Sequence, residues 1–389
     1  MSSHGLHALS VPSGVGALGV LVDLRRALVG SGPAVALQAV KGPAQRVPGT
    51  PGDLPEDLAL TIATSGSTGR PKLAMLTGAA LRASADATHQ RLGGQGQWLL
   101  ALPAHHIAGI QVLVRSVVAD TTPVCMPLTG GFSAAAFGRA TAEIAPGTRA
   151  YTALVPTQLV RLLASAQGCQ ALTRFSSVLL GGAAAPASLL ARARGFGVHV
   201  VTTYGMSETA GGCVYDGRTL EVSTVRLEDG GRIRLGGATL AQGYLGEPEL
   251  TAESFSQDVD GTRWFRTDDV GHLDEGVLVV DGRIDDPINT GGLKVVPRMV
   301  EAALVQLDTV AEAIVVGSPD PEWGQVVSAA VVVTEGRTPP TLDDVRCQLR
   351  GILPDHELPR RLTTLAELPL LGPGKPDRAA VRRLFNHRH

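Results

Sequence analysis

The sequence predicts an α/β protein with a large N-terminal α/β domain that includes a β-rich section and a small C-terminal α+β domain. Three observations lead to this fold class. Apolar runs of strand length alternate with helical patterns over residues 58–212, short strands and glycine turns follow from Glu221, and a new alternation follows Asp285. Such alternation is typical of a largely parallel sheet covered by helices. We therefore expect one domain over residues 1–284 and a second over residues 285–389.

The first clear pattern surrounds a loop of glycine, hydroxyl and cationic residues, TSGSTGRPK. A strand is expected over LALTIAT before it and another over KLAML after it, and Thr77 has the side chain of an N-cap for a helix over GAALRASADATHQRL. Nearer the N-terminus, GVGALG has the glycine spacing of a dinucleotide site. Because HALSVPS before it is a poor strand and no acidic residue follows at the required distance, we do not expect that site.

Further strands and helices alternate along the chain. Strands are predicted over WLLALP, TPVCMPL, YTALV, SSVLLGGAAAP and VHVVTTYGMSETAGG, with helices over GIQVLVRSVVA, AAAFGRATAEI and TQLVRLLASA. In the C-terminal part, helices are predicted over VPRMVEAALVQL, LDDVRCQLRGIL and DRAAVRRLF, and strands over AEAIVVGSPD and VVSAAVVV. The strands that end in GGAAAP and in YGMSETAGG are expected to line one crevice, because open α/β sheets bind ligands at such strand ends.

The composition narrows the function classes. A hydrophobic content of 44% in 389 residues supports a compact core, and a net charge of -2 provides no basic surface for nucleic acid or an anionic membrane. The cysteines are widely separated and lack C-x-x-C spacing, so neither a zinc site nor a disulfide framework is expected. Without a signal-peptide pattern or a run of membrane-spanning length, we expect a soluble cytoplasmic protein with a small-molecule ligand.

The loop from Thr64 to Lys72 is suited to phosphate. Small residues allow backbone N–H groups to approach a ligand, and hydroxyls and cations add donors for its oxygens. It is not a P-loop, because Pro71 stands where the second glycine is required. A plain turn between two strands is the alternative interpretation.

Four segments in order resemble the adenylate-forming superfamily of acyl-CoA synthetases, luciferases and peptide-synthetase adenylation domains. They are TSGSTGRPK, YGMSET, FRTDDVG with GRIDD, and LPLLGPGKPDR. The resemblance implies that family's fold with a truncated N-terminal subdomain, since the family carries more chain ahead of the loop. Three features are similar to the actinobacterial o-succinylbenzoate-CoA ligases of menaquinone biosynthesis. They are the short stretch of chain ahead of the loop, LPAHHIAGIQVL and VLLGGAAAP.

The resemblance implies a set of ATP contacts. Tyr204 would stack on adenine beside Gly205, Glu208 would bind Mg²⁺, and Thr209 would lie near the adenylate phosphate. Asp269 would hold the ribose hydroxyls, assisted by Arg283. The family has glycine where this chain has Asp268 and Leu73, so Asp268 is the alternative ribose ligand. The β- and γ-phosphates would contact Thr64, Ser65, Gly66, Ser67, Thr68, Gly69 and Lys72.

The resemblance also implies an acid pocket and a mobile small domain. The pocket would be bordered by His106, which is also counted as catalytic, and by Ser207, Gly181, Gly182 and Ala183. Core packing is the alternative for His106, and a strand-end turn is the alternative for the glycines. In the small domain, Lys375 would be the catalytic lysine, Asp285 the hinge, and Gly291, Gly292 and Lys294 the face for thioester formation.

The activity implied by the resemblance is an ATP-dependent carboxylic acid–CoA ligase that acts through an acyl-adenylate. ATP, Mg²⁺ and CoA would be required, o-succinylbenzoate is the expected acid, and a homodimer is a possible assembly. Alternatives are another aryl or short-chain acid, a carrier-protein thiol as acceptor, or a non-catalytic nucleotide- or acid-binding protein. No protein nucleophile is required, because a lysine and Mg²⁺ can offset the repulsion between a carboxylate and a phosphate.

Overall fold

The structure is a computed structural model that describes residues 5–39, 54–64, 72–283, 287–371 and 375–386, with the backbone alone at Leu371 and Lys375. The chain divides into two compact units. The first comprises residues 1–185, 189–226 and 234–267, and the second comprises residues 186–188, 227–233 and 268–389. The predicted boundary after residue 284 falls outside the described residues and stays a prediction.

The first unit opens with a mixed α/β segment. It contains β1 (Leu6–Val11), a 3₁₀ helix (Gly14–Val20), α1 (Leu21–Leu28), β2 (Ala34–Ala39), β3 (Leu58–Thr64), β4 (Lys72–Thr77) and α2 (Gly78–Arg91). The first three strands are parallel, and β4 is antiparallel to β3. Thr77 accepts a hydrogen bond from the Ala80 backbone N–H at 3.0 Å, which confirms the predicted cap. The judgement on HALSVPS was wrong, because pairing with β2 makes part of it a strand.

The second sheet follows the predicted alternation. Its segment contains β5 (Gln97–Leu100), α3 (Ile107–Val118), β6 (Val124–Cys125), α4 (Ala134–Ala142), β7 (Ala150–Leu154), α5 (Pro156–Leu163), α6 (Ala166–Leu172), β8 (Ser177–Leu180), α7 (Ala187–Gly195), β9 (Val200–Met206), β10 (Gly211–Tyr215) and β11 (Arg218–Thr219). The strand order is β11-β10-β9-β8-β7-β5-β6. The strands from β5 to β9 are parallel, as predicted, and β10 turns back antiparallel to β9.

Both faces of this second sheet are buried. Trp98 and Leu100 of β5 pack into one hydrophobic cluster, whereas Leu99 between them packs into another. Successive strand residues point to opposite faces, so a strand with helices on both sides must be apolar throughout. The helix predicted over TQLVRLLASA ends early, because α5 stops at Leu163 and Ser165, which accepts from the Gly168 N–H at 3.0 Å, begins a separate helix α6 that was not predicted.

The predicted β-rich section is confirmed. It contains β12 (Ser223–Leu227), a 3₁₀ turn (Asp229–Gly231), β13 (Arg232–Gly237), β14 (Gly243–Tyr244), α8 (Pro248–Ser254), β15 (Phe255–Gln257), β16 (Arg263–Asp274) and β17 (Val277–Arg283). One sheet has the order β12-β13-β16-β15, with β17 beside β16. Strand β14 instead joins the first sheet, which becomes β1-β2-β3-β4-β14.

The second unit has its own core. Its remaining elements are β18 (Ile288–Thr290), β19 (Leu293–Val295), α9 (Pro297–Leu304), β20 (Val310–Asp320), β21 (Gly324–Val333), α10 (Leu342–Leu349), β22 (Arg361–Leu365), β23 (Leu370–Leu371), β24 (Lys375–Pro376) and α11 (Arg378–Asn386). The main sheet has the order β19-β18-β21-β20, and β22 pairs with β21. Within the described ranges, no helix is long and apolar enough to cross a membrane.

Candidate active site

The predicted phosphate loop connects two paired strands. Thr64 at the end of β3 lies opposite Lys72 at the start of β4, so the loop closes a hairpin at its base. Ser65, Gly66, Ser67, Thr68 and Gly69 lie outside the described residues, and their contacts with phosphate stay predictions. The structure therefore places the two ends of the loop.

Lys72, Tyr244 and Glu208 form one cluster at this base. The Lys72 Nζ atom lies 5.3 Å from the centroid of the Tyr244 ring, and the Tyr244 hydroxyl donates to Glu208 Oε1 at 2.8 Å. Tyr244 is 4% exposed and Glu208 is 7% exposed. Strand β14 carries Tyr244 and pairs with β4, which begins at Lys72. The structure thus brings together two predicted ATP-site residues, with Tyr244 between them.

Glu208 lies in a 3₁₀ turn over Ser207–Thr209 that leaves the end of β9. The Thr209 hydroxyl accepts from the Met206 backbone N–H at 2.9 Å and donates to the Gly211 carbonyl at 2.7 Å. The Ala241 N–H donates to the Glu208 carbonyl at 2.8 Å. These bonds fix the turn, and Thr209, which is fully buried, serves the backbone of the turn itself.

Tyr204 and Gly205 precede this turn on β9. Tyr204 is half-buried and pairs with Val214 of β10, and Gly205 pairs with Gly212. A Cβ atom at Gly205 would collide with the Gly211 carbonyl oxygen. Glycine is required here by close approach between the two strands, independently of any nucleotide.

The residues predicted to border the acid lie at two loops of the second sheet. His106 is the N-cap residue of α3, and its ring centroid lies 4.2 Å from that of His105. Burial, with a smaller contribution from His105, lowers the pKa of His106 to about 4. Near neutral pH and without an acid beside it, His106 is therefore an uncharged ring that can donate or accept a hydrogen bond.

Gly181, Gly182 and Ala183 directly follow β8. A Cβ atom at Gly181 would lie 2.5 Å from Thr203 Oγ1, and Gly182 has a φ of +80°. The local structure of the strand-end turn thus explains why both positions are glycine, in line with the alternative interpretation. Their contact with an acid stays a prediction.

The ribose residues lie in the second unit. Asp268 is in contact with two guanidinium groups, at 2.8 Å from Arg232 Nη2 and 3.3 Å from Arg283 Nη2. Asp269 follows it on β16 and pairs with Arg283 of β17. Successive strand side chains point to opposite faces. Asp268 thus contacts both arginines, although Arg283 stands opposite Asp269 in the register, and the contact of Asp269 with ribose stays a prediction.

The predicted thioester face is a tight hairpin. Thr290 pairs with Leu293, and Gly291 and Gly292 between them have φ values of +57° and +83°. A two-residue turn with both φ values positive is the hairpin turn that favours glycine. Lys294 is exposed on β19.

Lys375 begins β24, where its backbone pairs with Leu371 of β23. The predicted hinge, Asp285, lies outside the described residues. The structure therefore places the backbone of the predicted catalytic lysine on a small hairpin of the second unit, separate from the sheet that carries the predicted thioester face.

Other candidate nucleophiles have unsuitable surroundings. Ser177 Oγ lies 2.8 Å from His199 Nδ1, but that nitrogen also lies 3.0 Å from the Ser176 carbonyl. Because a carbonyl oxygen can only accept a hydrogen bond, this contact favours a protonated Nδ1, which cannot take the proton of the serine. The pair lies at the amino ends of β8 and β9, away from the predicted crevice. Burial raises the pKa of Cys125 and of Cys213 to about 12, so neither is a ready thiolate.

A cavity of 680 Å³ opens beside α8 in the first unit. Its lining includes Met75, Tyr244, Phe255 and Arg263. None of the residues predicted to bind ATP or the acid belongs to this lining. Of the Lys72–Tyr244–Glu208 cluster, Tyr244 lies on its wall, and we assign the cavity no ligand.

Two family models match the chain. Residues 20–240 match the AMP-binding enzyme model, and residues 299–375 match the model of the AMP-binding enzyme C-terminal domain. The chain belongs to the AMP-binding enzyme family. It is 45% identical over 386 residues to a probable 2-succinylbenzoate–CoA ligase of Mycobacterium tuberculosis, with 98% of either chain covered. It is 32% identical over 334 residues to the 2-succinylbenzoate–CoA ligase of Listeria innocua, covering 82% of this chain and 68% of that one.

Solved structures of the family share the fold. The o-succinylbenzoate CoA synthetase of Bacillus subtilis, in complex with its acyl-adenylate intermediate, has a TM-score of 0.73 and 24% identity over 98% of this chain and 89% of its own. ATP-bound MatB of Rhodopseudomonas palustris has a TM-score of 0.83 and 22% identity over 100% and 90% of the two chains. These similarities confirm the predicted adenylate-forming fold.

Sequence reasoning missed the partner of Glu208. Tyr244 lies in AQGYLG, which indicates only a short strand between glycine turns. Nothing in its spacing from Glu208 links the two residues, because their contact depends on the pairing of β14 with β4. Two further buried side chains near the turn, Ser84 and Gln111, were missed for the same reason.

Proposed function

We propose that this member of the AMP-binding family is an AMP-forming acid–CoA ligase that converts o-succinylbenzoate into o-succinylbenzoyl-CoA. The observation that carries the proposal is the identity of 45% to the mycobacterial relative over 98% of both chains. The Lys72–Tyr244–Glu208 cluster, in which Tyr244 and Glu208 are buried and Lys72 is half-buried, supports it, because it gathers a cation and a carboxylate beside the loop predicted to hold phosphate.

The chemistry proceeds in two displacements. In the first, a carboxylate oxygen of the acid attacks the α-phosphorus of ATP, the bond to the β-phosphate oxygen breaks, and pyrophosphate leaves. In the second, the CoA sulfur attacks the acyl carbonyl, the bond to the phosphate oxygen breaks, AMP leaves, and the thiol proton passes to solvent. Both need anionic groups brought together, so positioned cations and backbone donors are the contribution required of the protein.

The residues fit a Mg²⁺ ion that is held jointly with ATP. The described residues contain no cluster of three or more His, Cys, Asp or Glu side chains that could bind a metal alone. Mg²⁺ is commonly held by one or two carboxylates together with substrate phosphates, and Glu208 supplies an oxygen ligand of that type. When bound, the ion would neutralise charge on the departing pyrophosphate. Tyr244 would orient the carboxylate, and Lys72 would contact phosphate.

On the acid side, we propose that His106 borders the substrate as a neutral hydrogen-bonding ring. Its lowered pKa favours the neutral ring as the form that receives the acid, and a carboxylate bound beside it would raise that pKa. The strand-end turn at Gly181 and Gly182 would form the wall that admits an aromatic ring. Lys375, from the small domain, would bridge the attacking carboxylate and the α-phosphate.

The test is a pyrophosphate-release assay with ATP and Mg²⁺ over a panel of acids, followed by detection of the acyl-CoA by mass. o-Succinylbenzoate should give much higher kcat/KM than benzoate or acetate. Equal turnover with all three acids would refute the proposed substrate. Glu208→Gln should weaken the Mg²⁺ dependence of the rate while leaving the fold intact, and an unchanged dependence would remove Glu208 from the metal site.

The two half-reactions separate the roles in the small domain. We propose that the domain presents Lys375 for adenylation and the Gly291–Gly292 turn for thioester formation, rotating about Asp285 between them. Lys375→Ala should abolish acyl-adenylate formation yet spare the conversion of supplied acyl-adenylate to acyl-CoA. Asp285→Pro should chiefly slow the second step. Equal loss of both steps in Lys375→Ala would contradict the two-face arrangement.

A further inference from the structure

The carbonyl of Ala210, immediately after the Glu208 turn, accepts two side-chain hydrogen bonds. Gln111 Nε2 donates to it at 2.6 Å and Ser84 Oγ donates to it at 3.0 Å. Gln111, Ser84 and Ala210 are all fully buried. Ser84 comes from α2 and Gln111 from α3, so two separate helices converge on one backbone atom.

The backbone at this point is strained. Ala210 has φ +51° and ψ +37°, a left-handed conformation that a residue with a Cβ atom rarely adopts. Such a conformation persists only where surrounding contacts over-determine it. The two hydrogen bonds to its carbonyl are such contacts.

A glutamine at position 111 is energetically unfavourable unless its amide N–H group is needed as a hydrogen-bond donor. Its Oε1 atom is buried and has no hydrogen-bond partner among the described residues. Burying an amide oxygen without a partner is unfavourable, and an apolar side chain of similar size would avoid that cost. The bond from Nε2 to Ala210 is therefore the contact that explains a glutamine here.

A second layer of contacts lies one helical turn further along. Thr88 of α2 lies 2.9 Å from the Tyr215 hydroxyl, and Arg115 of α3 donates to that hydroxyl at 3.3 Å. This layer anchors the far end of β10 and touches none of the residues predicted for ATP. It supplies a matched control, because Thr88 is as fully buried as Ser84.

We propose that Gln111 and Ser84 are positioning residues that hold the Glu208 turn in its active geometry. The turn is fixed at the Glu208 carbonyl by Ala241, at the Glu208 carboxylate by Tyr244, and at its exit by these two side chains. Releasing the Ala210 carbonyl would let that residue relax and would shift the carboxylate two residues before it. The inference rests on the proposed role of Glu208 in binding MgATP.

The test is a double-mutant cycle between Gln111→Met and Glu208→Gln. Methionine keeps the approximate volume and removes the donor. Gln111→Met should lower kcat/KM for ATP by about 10–100-fold, since a shift of about 1 Å can cost that much, and should leave KM for the acid nearly unchanged. In the Glu208→Gln background the same substitution should have little further effect. Equal fold-losses in both backgrounds would overturn the inference.

Controls separate positioning from stability. Thr88→Val and Ser116→Ala remove buried hydroxyls from α2 and α3. Each hydroxyl donates to a backbone carbonyl of its own helix, Thr88 to Ser84 at 2.8 Å and Ser116 to Val112 at 2.9 Å. Each variant's melting temperature is measured beside its kcat/KM, and Ser84→Ala is added to the series. Loss of activity in Thr88→Val to the same extent as in Gln111→Met, at equal melting temperature, would overturn the inference.

Calorimetric titration with MgATP alone distinguishes the two proposals. If the unmodified protein releases no pyrophosphate with any acid but binds MgATP, the proposed function fails. The same cycle is then read from MgATP affinity, where Gln111→Met should weaken binding only when Glu208 is present. Equal affinity of Gln111→Met and the unmodified protein, or no MgATP binding by the unmodified protein, would overturn the positioning role.

Discussion

Replacing Tyr244 by phenylalanine removes one hydroxyl from the Lys72–Tyr244–Glu208 cluster and retains the ring. The ring keeps its contact with Phe255, whose centroid lies 5.7 Å away, and the Lys72 Nζ atom can remain over its face. Because Glu208 is only 7% exposed, water cannot readily supply the lost donor. A hydrogen bond to a charged group contributes about 1.5–3 kcal/mol, so we expect kcat/KM for MgATP to fall about 10–100-fold.

The assay is pyrophosphate release over a range of MgATP concentrations, with urea unfolding beside it. Tyr151→Phe is the matched control, because the Tyr151 hydroxyl donates to backbone carbonyls of Leu92 and Gly94 at 3.1 and 2.8 Å. That variant should lose about 1 kcal/mol of unfolding free energy and keep its kcat/KM within about threefold. An unchanged kcat/KM in Tyr244→Phe, or an equal fall in Tyr151→Phe, would refute the reasoning.

Three further predictions follow from other contacts. Asp269→Ala should raise KM for ATP more than Asp268→Ala does, and the reverse order of KM values would assign the ribose to Asp268. Because the Asp268 carboxylate is exposed, Asp268→Ala should lower the free energy of unfolding in urea by at most about 1 kcal/mol. Gly205→Ala should lower the free energy of unfolding by about 1–3 kcal/mol, since the new Cβ atom meets the Gly211 carbonyl; unaltered stability would show that the strands can separate. His89 is 3% exposed, and burial, followed by the charge of Arg115, lowers its pKa from 6.5 to about 4. As the pH falls, the unfolded chain therefore takes up this proton before the folded chain does, and up to about 3 kcal/mol of stability should be lost between pH 6.5 and pH 4. The same pH dependence of stability in His89→Gln would contradict this.

Local patterns predicted the elements whose shape depends on nearby residues. The Thr77 cap, the two strands that flank the predicted phosphate loop, and the alternation along the second sheet all follow from short stretches of sequence. β1 was missed because it is a strand only through pairing with β2, a contact between residues 6–11 and 34–39. α6 was missed because AQGCQAL contains a glycine and little apolar periodicity, and its start depends on the capping bond at Ser165.

The site was predictable to the extent that it follows motifs. Glu208 and Lys72 were predicted by resemblance, and the structure brings both into contact with one buried residue, Tyr244. Their roles toward ATP stay predictions. Tyr244 and Gln111 could not be found in the same way, because each acts across more than thirty residues of chain on a single atom. The contact between Arg232 and Asp268 could not be predicted either, because the sequence places the strand of Arg232 only within a general β-rich section.

Within the first unit, the residues predicted for ATP come from both sheets, whereas those predicted to border the acid follow strands of the second sheet alone. The hairpin base and Tyr244 belong to the first sheet, whereas Gly181 and the helix that begins after His106 belong to the second. Their single meeting point among these residues is the hydrogen bond from Tyr244 to Glu208. Because a side chain at Gly181 would meet Thr203 of β9, the strand that leads to Glu208, a redesign of the strand ends for another acid has to keep both this glycine and the Tyr244–Glu208 bond.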